Sequence, residues 1–440
     1  MDEKITMTSD RITMTDSSDS EKTNSCDTAI LLLRESPNQA TDPYKMEELK
    51  GLAGAAGYIV LAEITQRRGR DHRFQVGKGK IEEALAYNPD KLIFYNPLSP
   101  IQVFNIRSEF KAQVIDRFNL ILEIFASRAS TREAKLQVEL AKLSYDAPHI
   151  RNALSLKMRG EQPGFRGAGA YEESMYRDIR GRIAKIRTAL QNVEEKGEDR
   201  RQRRRELGFD LVALAGYTNA GKSTLLNALT NANVEANDQL FTTLSPTTRA
   251  AAMKERKMLL TDTVGFIDDL PHFLIKAFKS TLSEISEADL VLLVADASDP
   301  PEILRRKLVA SHKALWDCST SAPIITVLNK IDQLRQDEVQ ARLDGILDLA
   351  PNPILASART SLGLPELMEQ INRRLAPLKE IQIKLPYTSQ GLSELSKLYD
   401  AAGQIQVSYE DEVVVRLKGR EDTLAKAMVS KERKFCDRSY

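Results

Sequence analysis

The chain of 440 residues carries 63 Lys and Arg against 62 Asp and Glu, so its overall charge advertises no nucleic-acid partner. The length suggests two to four domains, a hydrophobic content of 42% is ordinary for a soluble globular protein, and no uninterrupted apolar run is long enough to span a bilayer. Cys26, Cys318 and Cys436 match no zinc or redox spacing, and His72, His149, His272 and His312 are dispersed, which argues against a metal cluster or a triad and for a reduced, cytoplasmic protein.

Residues 1–27 are polar and rich in Ser, Thr and Asp, which excludes a secretory signal there and predicts a disordered tail. Over residues 28–127, apolar runs alternate with helical stretches. Strands are predicted at Ala29–Leu33, Tyr58–Ile64, Lys91–Tyr95 and Ala112–Ile115, and helices at Asp42–Ala56, Lys80–Ala86, Pro100–Phe110 and Arg117–Ser127. That alternation predicts a small α/β domain with a mostly parallel sheet. Within it, Val76-Gly77-Lys78-Gly79-Lys80 precedes a helix; a tight turn or an RNA-backbone contact explains it better than a second nucleotide site.

Strands stop at Arg128, and residues 128–207 predict two helices. One covers Ala134–Leu143 and is expected to break at Pro148. A loop then carries Arg159-Gly160, Pro163-Gly164 and Arg166-Gly167-Ala168-Gly169-Ala170. The second helix runs from about Tyr171 to Glu206, with Met175, Ile179, Ile183, Ile186 and Leu190 on one apolar face. This is a helical hairpin with a mobile tip. Arg177, Arg180, Arg182, Lys185 and Arg187, then Arg200, Arg201, Arg203, Arg204 and Arg205, suit contact with a phosphate backbone, although interspersed glutamates also fit a solvated face.

Residues 208–378 return to strict alternation, with strands expected at Phe209–Ala215, Arg249–Ala252, Lys257–Thr261, Leu290–Asp296, Ile324–Asn329 and Ile354–Ala356. The first strand leads into Gly216-Tyr217-Thr218-Asn219-Ala220-Gly221-Lys222-Ser223, the phosphate-loop pattern between strand and helix. Its glycines let several amide N–H groups face one point, where the helix N-terminus adds positive charge. Lys222 can reach β- and γ-phosphates, and the Ser223 hydroxyl can ligate Mg²⁺.

Further motifs follow in the order that a GTPase requires. Phe241-Thr242-Thr243-Leu244-Ser245 supplies a threonine, Thr243 or its neighbour Thr242, that can close over Mg²⁺ when a γ-phosphate is present. Asp262-Thr263-Val264-Gly265 ends a strand: Asp262 can hold a Mg²⁺ water, and the Gly265 N–H can meet the γ-phosphate. In Asn329-Lys330-Ile331-Asp332, the Asp332 carboxylate can accept from both the ring N–H and the amino group of guanine. Adenine offers neither, a mismatch worth on the order of 10⁴ in discrimination. Lys330 can cover the base, Asn329 can tie this loop to the phosphate loop, and Ser357-Ala358-Arg359 can offer the Ala358 N–H to the guanine oxygen.

Phe266 stands where Ras-like enzymes hold the glutamine that orients water, so intrinsic hydrolysis is expected to be slow. A partner or a monovalent cation must supply the missing positioning. The Asn219 amide occupies the position of a K⁺ ligand in potassium-using GTPases.

The phosphate loop with Asn219, the run Phe241–Ser245 leading to Pro246-Thr247-Thr248-Arg249, and Asp262-Thr263-Val264-Gly265-Phe266 resemble the HflX family of ribosome-associated GTPases. Val76–Lys80 looks like the family's N-terminal signature, and the order of domains is similar. The resemblance implies a monomeric GTPase that binds the large ribosomal subunit and its RNA, the hairpin tip reaching toward the peptidyl transferase region, and that splits or rescues idle or stalled ribosomes. Gly167-Ala168-Gly169-Ala170-Tyr171-Glu172 stands where the family shows a Gly-Pro-Gly-Glu-type run, so the tip's contacts and the splitting activity are less closely implied than ribosome binding. An RNA-binding or protein-assembly GTPase acting away from the ribosome is the other reading. Residues 379–440 predict a small α+β appendage, with a helix over about Gly391–Ala402, strands at Gln404–Tyr409 and Val413–Leu417, and a last helix near Asp422.

Overall fold

The computed structural model describes residues 27–38, 40–160, 168–230, 247–252, 256–268, 279–389, 391–393, 395–396, 404–409, 412–421 and 424. The polar tail, the Pro163–Gly167 part of the hairpin tip, and all but one residue of the last predicted helix lie outside these.

The first sheet is parallel throughout, in the order β2-β1-β3-β4: β1 (Thr28–Glu35), β2 (Ile59–Arg67), β3 (Lys91–Phe94) and β4 (Val114–Asp116). Central β1 is apolar on both faces because helices cover both. Ala29, Leu31 and Leu33 pack with α1 (Pro43–Ala55) and α4 (Arg117–Arg128), while Ile30 and Leu32 pack with α2 (Lys78–Leu85) and α3 (Pro100–Phe110). Asp116 caps α4 by accepting from Asn119 N at 3.0 Å. Ser99 and Gln102 close a capping box on α3.

Two long helices follow, α5 (Arg132–Gly160) and α6 (Ala168–Glu206), lying side by side. The expected break at Pro148 does not occur, for α5 runs on to Gly160. A proline inside a helix costs about 3 kcal/mol, yet α5 continues through it with α6 packed alongside; nearer the start of α5, Arg182 Nε donates to Glu139 Oε1 at 2.7 Å, and Ile186 is buried. α6 also starts at Ala168 rather than near Tyr171.

The second sheet has the order β10-β9-β8-β5-β7-β6, with only the edge strand β6 antiparallel to its neighbour. Its strands are β5 (Phe209–Gly216), β6 (Thr247–Ala252), β7 (Lys257–Asp262), β8 (Leu290–Asp296), β9 (Ile324–Asn329) and β10 (Ile354–Leu355). Helices α7 (Lys222–Thr230) and α11 (Leu364–Arg374) cover one face. Helices α8 (Lys279–Ser286) and α9 (Pro301–Asp317) cover the other, and α10 (Gln336–Asp344) joins β9 to β10. Strand order reverses between β5 and β8, so a crevice opens at their carboxyl ends, where sheets of this kind bind ligands.

A third, antiparallel sheet has the order β11-β13-β12: β11 (Lys379–Leu385), β12 (Gln404–Tyr409) and β13 (Val413–Gly419). β11 is not among the predicted strands, yet Ile381, Ile383 and Leu385 alternate with Glu380, Gln382 and Lys384 as a half-buried strand should. Gly391–Ser393 is helical, and residues 397–402 of the helix predicted there are outside the described set.

Candidate functional site

Every described residue of the nucleotide motifs lies at the carboxyl ends of the second sheet, whereas Val76–Lys80 leads into α2 beside the first sheet. Gly216 ends β5 at φ 144°, and a Cβ there would stand 2.2 Å from the Val294 carbonyl oxygen, so only glycine lets the loop turn this close to β8. Asn219 is exposed and left-handed at φ 61°. Gly221, at φ 91°, faces Asn329. Lys222 opens α7, with its Nζ donating to the carbonyls of Gly216 at 3.2 Å and Tyr217 at 3.0 Å. Burial lowers the Lys222 ammonium to about 8, against the pull of Asp262.

Ser223 and Asp262 meet across the crevice. The Ser223 hydroxyl donates to Asp262 Oδ2 at 2.5 Å, and Asp262 is fully buried at the end of β7. A hydroxyl and a carboxylate form an oxygen-only donor set, which suits a hard divalent cation that also takes phosphate and water oxygens. Among the described residues, no group of three or more His, Cys, Asp or Glu side chains could hold a metal. The Ser223 hydroxyl and the Asp262 carboxylate fit Mg²⁺ that takes its remaining ligands from phosphate and water oxygens. Thr263 is buried, its hydroxyl donating to Leu214 O at 2.7 Å.

The loop after β7 is zipped onto the phosphate loop. Thr218 N donates to Phe266 O at 2.9 Å, and Phe266 N donates to Gly216 O at 3.0 Å. Gly265 is the reason the two loops close up, since a Cβ there would meet Thr218 Cγ2 at 2.8 Å and Lys222 Nζ at 3.0 Å. The Phe266 ring is buried among Ala213, Leu293 and Leu304. It is a core residue, not a water-facing one.

Asn329 is the clip between loops. Its Nδ2 donates to Ala220 O at 2.9 Å, and its Oδ1 accepts from Ala358 N at 3.0 Å. Lys330 is left-handed, and Ile331 and Asp332 begin a short 3-10 turn that leaves Asp332 exposed. Ser357 is fully buried and accepts from Thr360 N at 3.1 Å, while the Arg359 side chain is exposed. Phe241, Thr242, Thr243, Leu244 and Ser245 lie outside the described residues.

Several contacts at this site escape sequence reasoning. The Tyr217 side chain turns away from the crevice toward the first domain, where Tyr44 OH donates to its hydroxyl at 3.0 Å. The same hydroxyl accepts from Asp268 N at 3.0 Å. Burial pushes the Tyr217 phenol up, which keeps it protonated. Arg117 pairs with Glu48 and donates to Asp268 O at 2.9 Å. Arg306 bridges Asp268 at 2.5 Å and Asp42 at 2.6 Å. Val264 and Ile267 complete the core of the first domain beside Leu52 and Ile121. A cleft of about 500 Å³ remains between α1 and the phosphate loop, bordered by Tyr44, Gly51, Asn219, Asp296 and Lys307.

Parts of the chain match known GTPase family models, and most of it is similar to curated GTPases. Residues 211–330 match a family model described as "50S ribosome-binding GTPase". Residues 43–126 match "GTP-binding GTPase N-terminal", and residues 128–204 match "GTP-binding GTPase Middle Region". GTPase HflX of Thermococcus kodakarensis is 44% identical over 371 residues, covering 81% of this chain and 81% of the relative. GTPase HflX of Escherichia coli is 40% identical over 347 residues, covering 77% of this chain and 80% of the relative. A GTP-binding protein of Sulfolobus solfataricus, solved in complex with GDP, is 28% identical over 79% of this chain and 98% of its own, with a TM-score of 0.46. Among the described residues, no helix is long and apolar enough to cross a membrane.

Proposed function

The chain belongs to the HflX family of GTPases, and from that premise we propose that it is a GTP-driven switch that binds the large ribosomal subunit. It hydrolyses GTP to GDP and phosphate. The observation that supports the switch is the direct zipping of the loop after β7 onto the phosphate loop, because a change at the γ-phosphate position that moves Gly265 is passed on through Phe266.

In this reading the amides of Gly216–Lys222 and the Lys222 ammonium bind and orient the phosphates. The Ser223 hydroxyl would ligate Mg²⁺ and Asp262 would hold one of its waters; the ion, when bound, neutralises charge on the β- and γ-phosphate oxygens. The Gly265 N–H meets the γ-phosphate, and Thr243 closes from the segment outside the described residues. Asp332 reads guanine, the Ala358 N–H meets its oxygen, and Asn329 holds both loops in place.

Phe266 is buried and carries no group that can orient water, so hydrolysis is slow until a partner supplies that positioning. The exposed Asn219 amide at the loop rim is the proposed K⁺ ligand. Replacing sodium with potassium should raise single-turnover hydrolysis, and equal rates in the two buffers would remove Asn219 from that role.

The family model's description and the arginines of α6 support ribosomal RNA of the large subunit as the partner, met by the first domain and the hairpin. Splitting or rescue of idle or stalled ribosomes is the cellular task proposed. Cosedimentation with purified large subunits, comparing a non-hydrolysable GTP analogue with GDP, tests both halves. Retention with the analogue only is expected; equal retention would defeat the switch, and no retention would defeat the ribosome.

A further inference from the structure

Asp296, the last residue of β8, belongs to none of the motifs above, yet its carboxylate is built into the base-binding loop. In the parallel ladder Asp296 pairs with Asn329, and Ala297 N donates to Asn329 O at 2.8 Å. This register sets the Asp296 side chain beside residue 330. Its two oxygens have separate tasks. Oδ1 accepts from Ser298 N at 3.0 Å and from the Ser298 hydroxyl at 2.5 Å, whereas Oδ2 lies 2.7 Å from Lys330 Nζ. The side chains of Lys330 and Asp296 are 20% and 11% exposed, so salt screens the pair little.

The lysine itself is held under constraint. Lys330 adopts φ 66° and ψ 28°, a left-handed conformation that is strained for a residue with a Cβ and persists where its surroundings impose it. A Cβ built on Gly221 would stand 4.0 Å from Lys330 Cε. The methylene stem therefore runs along the phosphate loop toward its anchor at Asp296.

We propose that Asp296 is a positioning residue for the guanine nucleotide: it pins the Lys330 ammonium so that the lysine stem forms a fixed apolar wall of the base pocket. This rests on the GTP reading above. A lysine free to swing loses rotamer entropy when a ligand arrives. Anchored in advance by a carboxylate that Ser298 in turn holds still, it loses little, and the nucleotide stays bound longer. No bond or proton changes at Asp296.

The test uses the full chain and N-methylanthraniloyl-GDP as probe, in a double-mutant cycle of Asp296→Ala, Lys330→Ala and both together. Asp296→Asn is the second variant; it keeps an oxygen for Ser298 and replaces the oxygen facing Lys330 with an amide that cannot accept, at little change in size, which guards against misfolding. Each single variant should speed GDP release and raise KM for GTP about tenfold, the scale of one hydrogen bond to a charged group. The value of kcat at saturating GTP should fall far less. Adding Asp296→Ala to Lys330→Ala should change release no further. Additive effects in the cycle, or wild-type release in both Asp296 variants, would overturn the proposal, because a merely structural role would not couple to Lys330. Asp332→Asn is measured alongside and should shift preference from guanine to xanthine nucleotides. If it does not, the guanine reading falls and takes the proposal with it, whereas lost coupling removes the proposal alone.

Discussion

At Gly221 two constraints coincide. The backbone is left-handed at φ 91°, and a Cβ would stand 2.3 Å from Asn329 Nδ2. Asn329 has nowhere to retreat, because its Nδ2 holds Ala220 O while its Oδ1 holds Ala358 N. Gly221→Ala must therefore either strain the phosphate loop or push Asn329 out of two hydrogen bonds. Backbone strain of this kind costs about 1–3 kcal/mol. We predict that guanine-nucleotide affinity falls roughly 10- to 100-fold, measured by titration with a fluorescent GDP analogue; wild-type affinity would show that the loop does not need this clearance. Asn219, exposed but itself left-handed at φ 61°, can be replaced by glycine without packing or backbone strain, and Asn219→Gly should act on the cation dependence of hydrolysis instead.

The loop after β7 is held to the first domain by Arg117 of α4, which donates to Asp268 O and is paired with Glu48 of α1, while Tyr44 of α1 meets the phosphate loop at Tyr217. Glu48 and Arg117 have side chains only 5% and 4% exposed, and burial pushes the Glu48 carboxyl up against the pull of the guanidinium. Glu48→Ala would strand that guanidinium in a dry interface, which costs about 3–5 kcal/mol. Glu48→Gln should cost less, because an amide oxygen can still accept from Arg117. Urea unfolding followed by circular dichroism checks the order, and an Ala variant as stable as wild type would refute it. None of this grip was legible in the sequence, whereas the phosphate loop was. Gly216 and Gly221 answer to local steric demands that a spacing pattern records. The partners of Tyr217, Tyr44 and Asp268, are 173 and 51 residues away, and no periodicity encodes them. Phe266 could be recognised as lacking the water-orienting amide, but its place in the core under α9 required the packed sheet. Pro148 misled for the opposite reason: a local helix breaker does not end α5, which runs on beside α6 to Gly160. The role inferred for Asp296 depends on β8 lying beside β9, which is again a long-range fact.

Across the whole molecule, the foot of the phosphate-loop strand is where separate parts are tied together. Asp210, 2% exposed at its side chain, takes Arg256 on Oδ2 and Arg420 on Oδ1, each at 3.0 Å. Arg256 continues to Asn372 at the end of α11 and to Ala376 O, and Arg420 brings in the third sheet and reaches Asp289 at 2.9 Å. A few residues upstream, Arg204 at the end of α6 holds both oxygens of Glu284 on α8 at 3.0 Å. The hairpin, the nucleotide-binding sheet and the appendage thus converge on β5, whose other end is the phosphate loop. Desolvation pushes the Asp210 carboxyl up, and the two arginines oppose it, so each single variant leaves the carboxylate one counter-charge. Arg256→Ala or Arg420→Ala should then cost about 1.5–3 kcal/mol each, the loss of hydrogen bonds to a charged group. Removing both leaves a buried carboxylate with neither counter-charge, a further penalty on the scale of about 3–5 kcal/mol. The double variant should therefore be less stable than the two single losses combined, and Asp210→Asn introduced into it should recover part of the difference. Strict additivity in the unfolding free energies would mean that the arginines act on separate parts of the structure, and β5 would then join the sheets by packing alone.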